Sequence, residues 1–167
     1  RQASTDNDKK SVTVHASDGQ IAMAEWLFNE LDTQTVQAFV PRQFRVPGAA
    51  DDVIRLFYLP RTATVQDFQE IATVVRTLAG FQRAFTYNEP RAYVVRGTDA
   101  QIGLAEWLMN ELQSANPPPR EYRMPGTNDD IVSVVYLTHT GPAFQDVAKQ
   151  IRSATQIQRV FTYNTPR

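Results

Sequence analysis

An α+β fold of two βαββα units, each a small sheet covered by two helices, is the architecture the sequence predicts, and three observations carry it. Sequence blocks recur in the same order, apolar residues switch between strand-like and helical spacing, and helix-start signals stand at equivalent places. IAMAEWLFNEL at 21–31 returns as IGLAEWLMNEL at 102–112, and FRVPGAADDVIRLFYL at 44–59 returns as YRMPGTNDDIVSVVYL at 122–137. RAFTYNEPR at 83–91 returns as RVFTYNTPR at 159–167, so the repeats run over 11–91 and 92–167.

Residues 1–10, RQASTDNDKK, are polar and are expected to form a flexible leader. Residues 11–16 and 92–97 are rich in β-branched and aromatic side chains and read as short strands. Each ends at a capping-box signal, Ser17-Asp18-Gly19-Gln20 or Thr98-Asp99-Ala100-Gln101, where hydroxyl and amide satisfy the orphan donors of a first helical turn. In the helices that follow, Ile21, Ala24, Leu27, Phe28 and Leu31 share one stripe, as do Ile102, Ala105, Leu108, Met109 and Leu112. Connecting segments at 33–52 and 114–130 each contain an extended strand ending at a Pro-Gly turn and an Asp pair, and apolar strands at 53–59 and 131–137 make a hairpin with them. A second helix at 65–79 places Phe68, Ile71, Ala72, Val75, Leu78 and Ala79 on one face and ends at Gly80. Its counterpart carries Phe144, Val147, Ala148 and Ile151, with Pro142 at the first helical position. Strands at 83–87 and 159–163 close each copy before an Asn-Glu-Pro-Arg or Asn-Thr-Pro-Arg turn.

Counted from Val53, the order strand, helix, strand, strand, helix is complete by Gln113, giving one βαββα unit at 53–113. The remaining pieces, 11–32 and 131–167, supply the parts of a second, permuted unit completed by both chain ends. That arrangement pairs Val12–Val14 beside Phe161–Tyr163, within one chain or between chains as a domain swap or head-to-tail filament.

The stretch from Val53 to Gln113 resembles the short N-terminal domains of secretins, the outer-membrane ring proteins of bacterial secretion and pilus systems. The resemblance is carried by the apolar strand Ala92–Arg96, the Gly97-Thr98 turn and Gln101 at the start of the closing helix. It implies a non-enzymatic role in subunit packing, ring building or partner docking, in a periplasmic or exported setting, with protein partners that are the chain itself or a secretion or pilus component. The pore-forming β-barrel region of secretins has no counterpart in these residues.

Composition narrows the alternatives. A net charge of −1 disfavours general affinity for nucleic acid or anionic membrane, and the absence of cysteine excludes thiol nucleophiles and cysteine-based metal sites. No apolar run reaches the ~20 residues of a membrane-spanning helix. Trp26 and Trp107 lie off the aliphatic stripes, on a second helical face with Asn29 and Asn110. Each indole packs beneath the extended segment before Pro47 or Pro125, packs against the other unit, or serves as a protein-interaction anchor, so Trp26, Asn29, Trp107 and Asn110 are the candidate interaction residues. Glu25, Glu30, Glu106 and Glu111 have no companion base or nucleophile, and the Asp51-Asp52 and Asp129-Asp130 pairs lack the alternating ligands of a calcium loop. His15 and His139 occupy different places in the two copies. Arg83, Arg91, Arg96, Arg159 and Arg167 gather around equivalent strands, as surface charges paired with nearby acids or as a modest basic patch.

No catalytic, cofactor or metal residues are therefore assigned, and no small-molecule substrate is indicated. A KH-like single-stranded nucleic-acid binder is the alternative suggested by the βαββα order, although the GXXG clamp of that class is missing. An enzyme without a recognisable motif ranks third.

Overall fold

Two strands organise the molecule because they are apolar along almost their whole length. The computed structural model describes residues 2–32, 41–114, 120–137 and 144–163, and its mixture of helices and strands is α+β. Strand β4 (Val53–Tyr58) and strand β6 (Ala92–Gly97) are the core strands. Strand side chains alternate between faces. Burying both faces of such a pair therefore demands cover on both sides of the sheet.

That cover is present. β4 and β6 pair antiparallel between β3 (Arg42–Arg45) and β5 (Arg83–Tyr87), giving the order β3-β4-β6-β5. Phe57, Tyr93 and Val95 face a core shared with helices α2 (Val65–Ala79) and α3 (Asp99–Leu112). Ile54, Leu56, Ala92 and Val94 face the other way, onto Met23, Trp26, Leu27 and Leu31 of helix α1 (Asp18–Asp32). Residues 53–113 thus run β4–α2–β5–β6–α3. Strands β7 (Arg120–Arg123) and β8 (Ile131–Val134) form a separate hairpin whose Tyr122, Met124, Val132 and Val134 lie against the α3 side of the core. Two further elements flank this body: the hairpin of β1 (Gln2–Asp6) and β2 (Ser11–His15), and helix α4 (Phe144–Thr155).

Turns and caps follow from local chemistry. Gly48 (φ 77°) and Gly126 (φ 80°) supply the left-handed residue of each Pro-Gly turn, and each turn is closed by a matching bond, Val46 N to Asp52 O or Met124 N to Asp130 O, both 3.0 Å. Thr98 and Gln101 form the full capping box at α3. At α1 only half forms: Gln20 Oε1 accepts from the Ser17 backbone N–H, while the Ser17 hydroxyl also donates to Gln20 instead of accepting from its backbone. Thr64 and Asp67 make a third box at α2, which ends at Gly80 (φ 70°).

Two sequence expectations are corrected. Residues 2–6 form strand β1 in place of a flexible leader, because Asp6 Oδ1 accepts from the backbone N–H groups of Asp8 and Lys9 and turns the chain back onto β2. Residues 161–163 form no strand, and Val12–Val14 pair instead with residues 3–5 of β1. The cause is layering. α1 covers one face of the four-stranded sheet, whereas β7 and β8 lie against the α3 side on the other, so β8 and α1 stand on opposite faces of that sheet. Pro142, His139 and the 164–167 turn lie outside the described residues.

One buried group makes a testable prediction. The Tyr93 hydroxyl is buried without a hydrogen-bond partner among the described residues, and burial pushes its pKa up, with Arg76 pulling weakly the other way. Tyr93→Phe is expected to be neutral to about 1 kcal/mol stabilising in urea unfolding at neutral pH, since it removes an unsatisfied polar atom. The unfolded chain ionises above the ordinary phenol value of about 10 while the folded chain holds the proton, so stability falls as pH rises through that range. The Phe variant is expected to lose part of that alkaline slope; Tyr58, also raised by burial and by Glu30, retains its share.

Candidate interaction surface

Both candidate tryptophans have partners inside the molecule. The Trp26 and Phe44 rings lie 5.7 Å apart at 33°, and the Trp107 and Tyr122 rings lie 5.5 Å apart at 40°. Each indole thus seats on the extended segment that precedes its Pro-Gly turn, while Asn29 and Asn110 stand exposed beside them. Trp26 and Trp107 occupy opposite sides of the four-stranded sheet, so the structure does not bring the four residues into one site.

The same contacts recur around each indole. Arg42 pairs with Glu30 and Arg120 with Glu111, at 3.8 and 3.2 Å. Tyr58 donates to the Glu30 carbonyl and Tyr136 to the Glu111 carbonyl, at 3.4 and 2.8 Å. Gly103 lets the Tyr122 hydroxyl approach closely: a Cβ there would lie 3.0 Å from it. Gly103, Trp107 and Glu111 sit at helical spacing on one face of α3, opposite the stripe of Ile102, Ala105, Leu108, Met109 and Leu112. α3 therefore works on two faces, one turned to its own sheet and one to the β7–β8 hairpin.

α1 presents the same pattern, with Met23, Trp26, Leu27 and Leu31 partly buried against the sheet. α3 buries Leu104 and Glu111 as well as its stripe, whereas α1 buries no residue. α2 buries Phe68, Ile71, Ala72, Val75 and Ala79, whereas α4, its counterpart, buries none. At several matched positions, apolar residues that the 53–113 unit encloses are open to solvent in the flanking elements. Val135 is 58% exposed where Phe57 is 3%, and Phe28 is 44% exposed where Met109 is 3%. Ile131, Leu137, Ile151 and Ile157 are likewise exposed where Val53, Leu59, Val75 and Phe81 are buried. Among the described residues, β8 pairs only with β7, and β2 only with β1. One edge each of β2 and β8 is thus unpaired among the described residues, and α1 and α4 bury no residue.

The charged candidates are mostly engaged structurally. Arg96 Nε donates to Asp52 at 2.7 Å, Arg55 pairs with Glu106 at 3.3 Å, and Arg91 reaches the Thr62 hydroxyl and the Ala63 carbonyl at 3.2 and 3.3 Å. Arg83 and Arg96 line a cleft of about 340 Å³ with Ser17, Gln20 and Met23. His15 and Arg159 are exposed, and Arg167 lies outside the described residues. Among the described residues, no helix is long and apolar enough to cross a membrane.

The exposed strand edges were missed by sequence reasoning, although a signal for one of them exists. QASTDNDKK at 2–10 aligns with RAFTYNEPR at 83–91, sharing Ala, Thr and Asn, and Lys10 (φ 49°) repeats the left-handed backbone of Arg91 (φ 63°). No family model matches the chain, and neither the curated proteins nor the solved structures yield a match.

Proposed function

We propose that the chain is a non-enzymatic protein–protein assembly module of the bacterial cell envelope, working in the periplasm or outside the cell in the manner of the secretin N-terminal domains that residues 53–113 resemble. The observation that carries this reading is the exposure, in the flanking elements, of apolar positions that the 53–113 unit buries. Exposed apolar surface beside an unpaired strand edge is costly in a free monomer and favourable only when a partner covers it. Trp26 and Trp107 contribute by holding the adjacent hairpins in place. The arginines around β5 and β6 support a nucleic-acid reading less well, because Arg91 and Arg96 are spent on internal contacts.

The test is chemical cross-linking in cells producing the chain, with Val135→Lys as comparison. A discrete higher-mass protein complex that disappears in the variant is expected, since Val135 is exposed and its replacement leaves the core untouched. A chain that is trapped only as a monomer would contradict the reading.

A further inference from the structure

We infer that the partner is a second copy of this chain, docked head to tail, with β1–β2–α1 of one copy closing β7–β8–α4 of the next into the sheet order β7-β8-β2-β1. This rests on the assembly reading above and specifies its partner. The 53–113 unit, with its adjoining strand β3, is the template, because it shows what covers each equivalent surface. There, β4 pairs with β6, and β6 with β5. By alignment β8 stands for β4, β2 for β6 and β1 for β5, and the β1–β2 hairpin is already formed in the register that β5 and β6 use. Carrying over the register of β4 on β6 sets Val132 opposite His15, Val134 opposite Thr13 and Val135 opposite Val12.

The two surfaces are complementary in detail. Gly97 has no room for a side chain: a Cβ there would lie 2.7 Å from the Phe81 ring. At the proposed joint, Ala16 replaces Gly97 and Ile157 replaces Phe81, so the added methyl meets a smaller side chain. Ile157 is delivered to that place by the same turn, since Gln156 (φ 58°) ends α4 as Gly80 (φ 70°) ends α2. Arg96 and Asp52, paired across β6 and the hairpin turn, become His15 and Asp130. Gln101, which donates to the Ala79 and Gly80 carbonyls at the end of α2, becomes Gln20 facing the end of α4.

α1 need not move to make this joint. Its Trp26 face stays on its own sheet, while the side bearing Ile21, Ala24 and Phe28 receives α4, as α3 serves both neighbours. Within one chain, α1 and the β7–β8 hairpin lie on opposite faces of the four-stranded sheet, so the copy that supplies β2 is a different one. The interface is heterologous, joining different surfaces of two copies, so repetition yields a ring or a filament. Residues 159–163, which duplicate the place that β1 fills, are not needed in the sheet.

The chain contains no cysteine, so single cysteines report the register directly. Val12→Cys and Val135→Cys chains, each altered at an exposed residue, are mixed under mild oxidation, and Val12→Cys is separately mixed with Ile131→Cys. The in-register pair is expected to form the mixed disulfide at least about tenfold faster, because the other pair is displaced four residues, ~13 Å along the strand and beyond bridging distance. Thermal unfolding of each variant, matched to the parent, verifies the fold. Equal rates for the two mixtures, or a preference of the Val12→Cys chain for disulfide-linked homodimers, would overturn the inference. So would a purified chain that sediments as a monomer at every attainable concentration. If cells still yield a complex with a different protein in that case, the assembly reading stands while the copy-to-copy joint falls.

Discussion

Phe68→Ala is expected to lower the unfolding free energy by about 3–5 kcal/mol, and Phe144→Ala, at the matching position of α4, by less than about 1 kcal/mol in dilute monomer. The two phenylalanines open nearly the same helical sequence, FQEIA and FQDVA. Phe68 is fully enclosed by the α2, α3 and sheet core, whereas Phe144 is half-buried on a helix that buries no residue. Removing Phe68 leaves a cavity that its packed neighbours cannot fill. Removing Phe144 deletes a side chain that already meets solvent. Urea titration followed by tryptophan fluorescence measures both, and equal losses would show that α4 belongs to a closed core. In concentrated solution the Phe144 variant is expected to weaken association, since its ring then faces the incoming α1.

Trp107→Ala is expected to cost about 2–3 kcal/mol and to act locally, somewhat less than the loss of a fully buried aromatic because Trp107 is only half-buried. The β7–β8 hairpin has two strands, and an isolated two-stranded hairpin is marginal in water. Its anchors are the Trp107–Tyr122 stack, the Arg120–Glu111 pair and the Tyr136 bond to the Glu111 carbonyl. Losing the stack should speed amide exchange in residues 120–123 and 131–134 about tenfold or more, while β4 and β6 stay protected. Unchanged exchange in the hairpin would mean that Trp107 is not its anchor. Trp26→Ala should loosen α1 in the same way.

The α+β class was legible because period and punctuation agree: helical stripes start at Thr98 and stop at Gly80, and Pro-Gly turns fall between extended apolar segments. The packing partner of each indole was legible only as one of three alternatives. Burial was legible for α2 and α3, whose apolar stripes are enclosed, but not for α1. IAMAEWLFNEL and IGLAEWLMNEL carry the same amphipathic pattern, yet the second buries a full stripe and the first buries none, because only α3 has both a sheet and α2 against it. Periodicity records which face can be covered; what covers it depends on neighbours distant in the chain. β1 escaped notice for a different reason. QASTD is too polar to announce a strand, and only its alignment with RAFTY and the turn at Asp6 reveal it. The half-formed box at Ser17 illustrates a smaller limit, since Ser17 and Gln20 satisfy each other in a geometry that spacing does not distinguish from the full box at Thr98.

Amide hydrogen exchange of the unaltered chain, compared between dilute and concentrated solution, tests most directly that a closed unit is flanked by two complementary open ones. In dilute solution the account predicts strong protection of β4, β6, α2 and α3, with fast exchange on the outer edges of β2 and β8 and throughout α4. On concentration, protection should rise together at residues 11–15 and 131–135 and in α4, as expected for strands gaining partners by mass action. Protection of β8 and α4 equal to that of β4 and α2 at every concentration would contradict it.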